Sequence, residues 1–285
     1  MKAVGIIADT TCDLSVELRE RYQIKTFPLH IHLGDKEYSD GVDISPDDIY
    51  RWSDENKATP KTSAISPAEA NDVLEAALKE AETVICFCIS DQMSSTGNVL
   101  RLAVQELEAE EKVFIVDSKS LSTGIGLQII EAAIMAQQGM AAKDIVARIK
   151  EMQPRVRASF VVDTLTYLHR GGRCSGLAAL AGSALKLHPL IAVTDGKMQP
   201  GKKYRGKIER VIIDYVKDME AELKNAKADR VFITHSGCEE EVIEAVKAEI
   251  TSYGRFDEIL ITRAGSVITS HCGPGTLGVL FIAGE

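Results

Sequence analysis

Short apolar runs alternate with amphipathic stretches along nearly the whole chain. The runs at 4–8, 26–33, 83–89, 112–116, 160–162, 190–194, 230–234 and 258–262 are mostly β-branched and continuous, with little polar alternation. That pattern predicts strands covered on both faces by helices. Between them, Ser66-Pro67-Ala68-Glu69 reads as an N-cap, a proline at the first helical position and a capping-box glutamate. Val73, Leu74, Ala77, Leu78 and Ala81 follow at helical spacing. Ser45-Pro46-Asp47-Asp48 opens a second helix in the same manner, and Ile208, Val211, Ile212, Tyr215, Val216 and Met219 stripe one face of a third. The stretch 123–138 also predicts a helix, apolar enough to be buried on more than one side.

The repeated βα order predicts an α/β fold with ligands at the carboxyl ends of strands. A length of 285 residues suits two domains better than one. A break at 153–159, around Gln153-Pro154, divides the chain into an N-terminal domain 1–155 and a C-terminal domain 156–285.

Composition narrows the function. Hydrophobic residues make up 45% and charged residues 26%, ordinary for a globular chain. The net charge of -9 argues against a nucleic-acid partner, whose phosphates need a basic stripe, and against broad docking on an anionic membrane. The apolar run before Asp9 is too short for a signal peptide, and no stretch approaches the ~20 apolar residues that span a bilayer. A cytoplasmic protein with no integral membrane segment is expected. The six cysteines include no CxxC pair and read as buried thiols, so no metal is expected.

The usual signatures of self-contained catalysis are missing. Gly201-Lys202-Lys203-Tyr204-Arg205-Gly206-Lys207-Ile208 approaches a phosphate-cradling loop, but Ile208 stands where a Mg²⁺-binding hydroxyl belongs. The chain has no G-x-G-x-x-G after a strand, no G-x-S-x-G elbow and no H-E-x-x-H. A ligand-binding or accessory role gains weight accordingly.

Five ordered segments carry a family resemblance. Asp9-Thr10-Thr11-Cys12-Asp13-Leu14 follows the first strand, and Thr62-Ser63-Ala64-Ile65-Ser66-Pro67 precedes a helix. Ile89-Ser90-Asp91-Gln92-Met93-Ser94-Ser95-Thr96 comes third, and Leu165-Thr166-Tyr167-Leu168-His169-Arg170-Gly171-Gly172-Arg173 fourth. The last is His271-Cys272-Gly273-Pro274-Gly275-Thr276-Leu277-Gly278. In order and spacing they resemble the DegV family. Thr10, Ile65, Ser95, Gly97 and Cys272 depart from its usual serine, proline, glycine, aromatic residue and threonine.

The resemblance implies an N-terminal domain with a mostly parallel sheet flanked by helices and a C-terminal domain with a mixed sheet, enclosing a long-chain fatty acid between them. It further implies an ATP-dependent fatty acid kinase as partner, which converts the bound acid to acyl phosphate. No cofactor is implied. Thr62 and Ser94 occupy the matching carboxylate-binding positions.

The residue chemistry is compatible with that assignment. Both hydroxyls lie near helix starts, where free N–H groups favour an anion. Read alone, Thr62, Ser66 and Ser94 to Thr96 serve equally well as turn and cap residues; the resemblance moves Thr62 and Ser94 to the carboxylate and leaves Ser66 a cap. His271 sits in a glycine-rich turn and could donate to the same carboxylate or be structural. Ser63, Ser95, Arg170, Arg173 and Arg205 are secondary candidates. Lys202, Lys203, Arg205 and Lys207 form a basic run that reads either as a solvated loop or as a docking surface stabilising phosphoryl charge.

Burying a sixteen-carbon tail contributes roughly 12 kcal/mol before losses, against about 1.5–3 kcal/mol for each hydrogen bond to the head. The tail should set affinity and the hydroxyls orientation. Ile130, Ile134, Phe160 and Leu180 are candidate wall residues. A competing reading is an autonomous kinase-like or transferase enzyme using His271 as base or nucleophile. It takes support from a likeness to the substrate-binding domains of dihydroxyacetone kinases. A structural or DNA-associated role ranks third, against an acidic pI of about 5.3.

Overall fold

The computed structural model describes residues 1–174 and 187–284. The chain opens with β1 (Lys2–Asp9), α1 (Val16–Arg21) and β2 (Lys25–Phe27). A meander of β3 (His30–Leu33) and β4 (Lys36–Ser39) leads through α2 (Pro46–Asn56) to β5 (Lys61–Ser63). Then α3 (Pro67–Leu78), β6 (Ala81–Cys88), α4 (Thr96–Glu106) and β7 (Val113–Asp117) alternate, followed by α5 (Thr123–Gln137) and α6 (Ala142–Met152). Four of these strands form one parallel sheet in the order β2-β1-β6-β7, while β4-β3-β5 form a small antiparallel one.

The continuous apolar strands are explained by cover on both faces. Val84, Ile85, Cys86, Phe87 and Cys88 of β6 are all fully buried. Cys86 and Cys88 are free thiols, and burial pushes both well up from the ordinary thiol range. Such thiols pack as small hydrophobes. The run 26–33, expected as one strand, is two. Pro28 lacks an N–H, so the pairing cannot continue through it; β2 stays with the parallel sheet and β3 leaves for the small one.

The second half supplies a six-stranded mixed sheet. After β8 (Val156–Val161) and α7 (Thr166–Gly171) come β9 (Leu187–Thr194), β10 (Lys197–Arg205), α8 (Ile208–Asp218) and α9 (Glu220–Lys224). Next are β11 (Ala226–His235), α10 (Glu240–Ser252), β12 (Glu258–Arg263), α11 (Ser266–Cys272) and β13 (Leu277–Ala283). The order is β10-β9-β8-β13-β11-β12, with β11 and β12 parallel and the other pairs antiparallel. The fold is two α/β domains, one parallel and one mixed.

Two strands here are unexpected from the apolar runs. Residues 197–205, which hold Lys202, Lys203 and Arg205 of the basic run read as a solvated loop or a docking surface, are an edge strand closed by a two-residue turn. Asp195 and Gly196 both have positive φ, the geometry an Asp-Gly hairpin favours. Lysines, Pro200 and a bulge between Pro200 and Lys203 suit an edge exposed to solvent. Gly201 therefore lies within a strand, which rules out a phosphate loop there. The strand β13 is buried from Leu277 to Ile282 between β8 and β11.

Both proline-led capping boxes form as the sequence predicts, Ser45 with Asp48 and Ser66 with Glu69. The apolar helix α5 lies between the two domains. It packs on β1 and β6 of one and on β8 and β13 of the other, which explains why apolar residues surround its axis. Thr123 at its start is hydrogen-bonded to Thr234 of β11 at 2.6 Å. Farther along, Glu131 pairs with the buried Arg230 and with Lys227, the latter at 2.8 Å. Among the described residues, no helix is long and apolar enough to cross a membrane.

Candidate functional site

A cavity of about 260 Å³ opens between the two domains. Leu29, Ile89, Leu121, Phe160, Met198 and Leu280 supply much of its apolar wall. Of the expected wall residues, Phe160 is present. Ile130 and Ile134 do not line the cavity; α5 turns them into the core. Leu180 lies outside the described residues.

Thr62, Ser63, Ser94, Ser95, Arg173 and His271 all line this same cavity. Arg170 and Arg205 do not. Arg170 reaches the Lys57 carbonyl at 3.4 Å, and Arg205 is exposed on the edge strand β10.

Thr62 and His271 meet directly, with Oγ1 and Nε2 2.8 Å apart. Thr62 is held in β5 opposite Ile31, while Ser63 Oγ is bonded to His32 Nε2 at 2.9 Å. Glu69 fixes the loop beyond by accepting from Ser66 N at 2.9 Å and joining His30 Nε2 at 3.0 Å. Ser66 is a cap, as its place before Pro67 predicts.

His271 stands at the end of α11, and its Nδ1 is sealed from solvent without a hydrogen-bond partner among the described residues. Burial, and secondarily the Arg173 charge, pushes its pKa down to about 4, so the ring is neutral at pH 7. Which atom donates depends on the tautomer: with the ring proton on Nε2 the imidazole donates to Thr62 Oγ1, and the Thr62 hydroxyl is then free to donate to an acceptor in the cavity.

Two glycines explain why the fourth and fifth motifs occur together. A Cβ on Gly171 would lie 2.4 Å from His271 Nδ1, so only glycine lets the imidazole approach. Gly273 has φ +74, and a Cβ there would lie 2.6 Å from the Tyr167 ring. Helices α7 and α11 thus interlock through the motif residues themselves.

Ser94 precedes α4. Its Oγ is 2.9 Å from Thr96 Oγ1 and accepts from Thr96 N at 3.3 Å, while Ser95 makes no side-chain cap. Ser94 thus caps the helix start while facing the cavity. Gly97, where an aromatic residue is usual, leaves room for the Asp91–Arg101 ion pair, since a Cβ would lie 2.2 Å from Asp91 Oδ1. Arg173 donates to the Gly171 carbonyl at 2.6 Å.

Sequence reasoning missed four further hydroxyl residues of the wall, Ser122, Thr234, Ser236 and Thr276. Each is committed within the protein. Ser122 donates to Asp13, Ser236 to the Gly273 carbonyl and Thr276 to the Cys272 carbonyl, while Thr234 joins Thr123 and Thr262. Hydroxyls satisfied in this way leave the wall effectively apolar. Their partners are remote in the chain or follow from tertiary turns, so no local signal marks them.

Two α/β domains closed over one largely apolar cavity, with a neutral imidazole and hydroxyls on its wall, define an architecture for an amphipathic ligand. The family model described as "Uncharacterised protein, DegV family" matches residues 3–284, and the chain belongs to that family. A DegV domain-containing protein of Caldanaerobacter subterraneus subsp. tengcongensis is 31% identical over 283 residues, 99% of each chain. Among solved structures, a DegV family protein from Thermus thermophilus, described by its fatty acid binding, superposes with a TM-score of 0.90. It is 30% identical, covering 99% of this chain and 100% of that one. DegV of Bacillus subtilis, described as a fatty acid binding protein, gives 0.84 at 26% identity, covering 99% and 100%.

Proposed function

We propose that this protein binds a long-chain fatty acid in the cavity, with the carboxylate held by Thr62, Ser94 and His271. The observation that carries the reading is the Thr62–His271 pair on the wall of a largely apolar cavity. The neutral imidazole orders the Thr62 hydroxyl as a donor, and a carboxylate is an acceptor. The fatty-acid-binding relative that is 30% identical supports the ligand class.

In the same reading the protein is a carrier and not the kinase. An ATP-dependent partner would supply the nucleotide. A carboxylate oxygen attacks the γ-phosphorus, the bond to the bridging oxygen breaks, and ADP leaves with that electron pair. Hydroxyl donors suit the step because they hold the carboxylate without taking its charge. Arg173 at the cavity, with Arg170 and the β10 cations Lys202, Lys203 and Arg205 outside it, would meet the phosphoryl-bearing partner. The work is cytoplasmic, where ATP is available. We place the domain boundary at 155/156, where the turn Gln153–Arg155 leads into β8.

The enzyme reading with His271 as base is less favoured. A ring held near pKa 4, with no carboxylate on Nδ1 among the described residues to orient it, makes a weak base at neutral pH.

The test is lipid mass spectrometry on solvent extracts of the purified, folded protein. One long-chain fatty acid per chain is expected. A folded preparation that neither carries nor takes up fatty acid overturns the reading.

A further inference from the structure

Two carboxylates of the first domain converge on the start of α11. Asp13, which follows β1 in left-handed geometry (φ 51), accepts from Gly265 N at 2.8 Å and from Ser122 Oγ at 2.5 Å. Asp40, just after β4, accepts from Ser266 N at 2.8 Å. Both are buried, and the charges that reach Asp13 are those of Asp40 and Asp9, which are of its own sign. A Cβ on Gly265 would lie 3.2 Å from Asp13 Oδ1 and 3.3 Å from Asp40 Oδ2, so both acids press on one residue.

A serine or asparagine cap would satisfy the same N–H groups without desolvating two carboxyl groups. Two rigid acceptors from separate segments do something a single cap cannot, which is to fix both the place and the rotation of the helix. α11 has seven residues, so it is about 10 Å long. Its far end carries His271, bonded to Thr62 of the first domain. The helix belongs in sequence to the second domain, yet the first domain holds it at both ends.

We propose that Asp13 and Asp40 are positioning residues for the ligand head group, fixing the start of α11 so that His271 Nε2 stays in register with Thr62 Oγ1. The ligand part rests on the fatty-acid reading; the effect on His271 does not. Desolvation that lifts Asp13 to about 8 agrees with an acid kept in place at a cost in burial.

The experiment is NMR of the full chain with ¹⁵N-labelled histidine, first without ligand and then with palmitate. Wild type is expected to show a single Nε2–H tautomer of His271 with a slowly exchanging proton. Asp13→Ala and Asp40→Ala should each lose that protected proton and weaken palmitate binding about tenfold, the loss of one hydrogen bond. Asp13→Asn, which keeps shape and an acceptor, should largely restore both. Val216→Ala in the second core should lower stability while leaving the His271 signal intact. If neither alanine variant folds, Asp13→Ser, too short to bridge Ser122 and Gly265, gives the same comparison.

An unchanged His271 signal in a destabilised Asp13 or Asp40 variant overturns the proposal, as does a wild type without the protected proton. A wild type that shows it but binds no palmitate overturns only the carrier reading.

Discussion

Thr62 and His271 stand 209 positions apart in the chain and are joined by a 2.8 Å hydrogen bond. The bond ties the small sheet of the first domain to the last helix of the second, and it faces the cavity. Much of the site's chemistry depends on it.

Removing the hydroxyl should therefore cost more than one contact. Thr62→Val keeps the shape but leaves His271 Nε2 without its partner and the ligand without its donor. We expect fatty-acid affinity to fall by about 1.5–3 kcal/mol, with a further loss when Ser94→Ala is added. Fluorescent fatty-acid displacement measures the affinity. Acyl-phosphate formation with a partner kinase should fall in the double variant, and an unchanged rate would remove both residues from the carboxylate site.

Gly171→Ala tests the same bond from behind. The added methyl would lie 2.4 Å from Nδ1, so the imidazole must move away from its present place. Overpacking of this kind costs about 1–3 kcal/mol. The variant should fold with a lower melting temperature and bind fatty acid more weakly than that stability loss alone implies. Calorimetry beside a binding titration separates the two effects.

The motifs were legible in sequence, but their reason was not. Gly171, Gly273, Tyr167 and His271 sit in two segments about a hundred positions apart, and only α7 against α11 shows that they are one packing unit. The capping boxes, by contrast, needed no tertiary information, because each is closed within four residues. The strand β10 had a local signal in Asp195-Gly196, hidden by a basic composition that suggested a loop.

Stability should depend on pH in a particular direction. Burial raises Asp9 to about 6 and Asp13 to about 8 from the ordinary 3.8, so the native state keeps protons that the unfolded chain releases. Their contribution is complete below about pH 3.8 and is lost as pH rises through 6 and 8. His271 runs the other way: lowered from 6.5 to about 4, it contributes above pH 6.5 and loses that as pH falls through 4. Between pH 6.5 and 7.5 the aspartates set the slope, before the thiols, which burial raises from 9.0, add to it, so urea midpoints should decline from pH 6.5 to 7.5. Asp13→Asn should flatten that decline, and an equally steep curve in the variant would rule out Asp13 as its source.

The contact of α5 with β11 offers a test of domain coupling. Arg230 is 7% exposed and pairs with Glu131, which also meets Lys227 at 2.8 Å. Arg230→Leu leaves Glu131 with Lys227 alone and should cost less than the about 3–5 kcal/mol of a fully unpaired buried charge. Adding Glu131→Leu should recover much of that loss, since two apolar side chains can replace a buried pair. Denaturant unfolding of the two single variants and the double variant measures the coupling.

The sequence by itself determined the alternating βα order, the capped helices, the apolar strands of the first sheet and the family-bearing segments. These depend on neighbours within one element, where periodicity and caps act over a few residues. Only the tertiary structure decided which sheet each side of Pro28 joins, that Ser122, Thr234 and Ser236 are chemically committed, and that His271 is neutral and aimed at Thr62. Each of those is set by desolvation or by a partner distant in the chain, and no local pattern of residues records either.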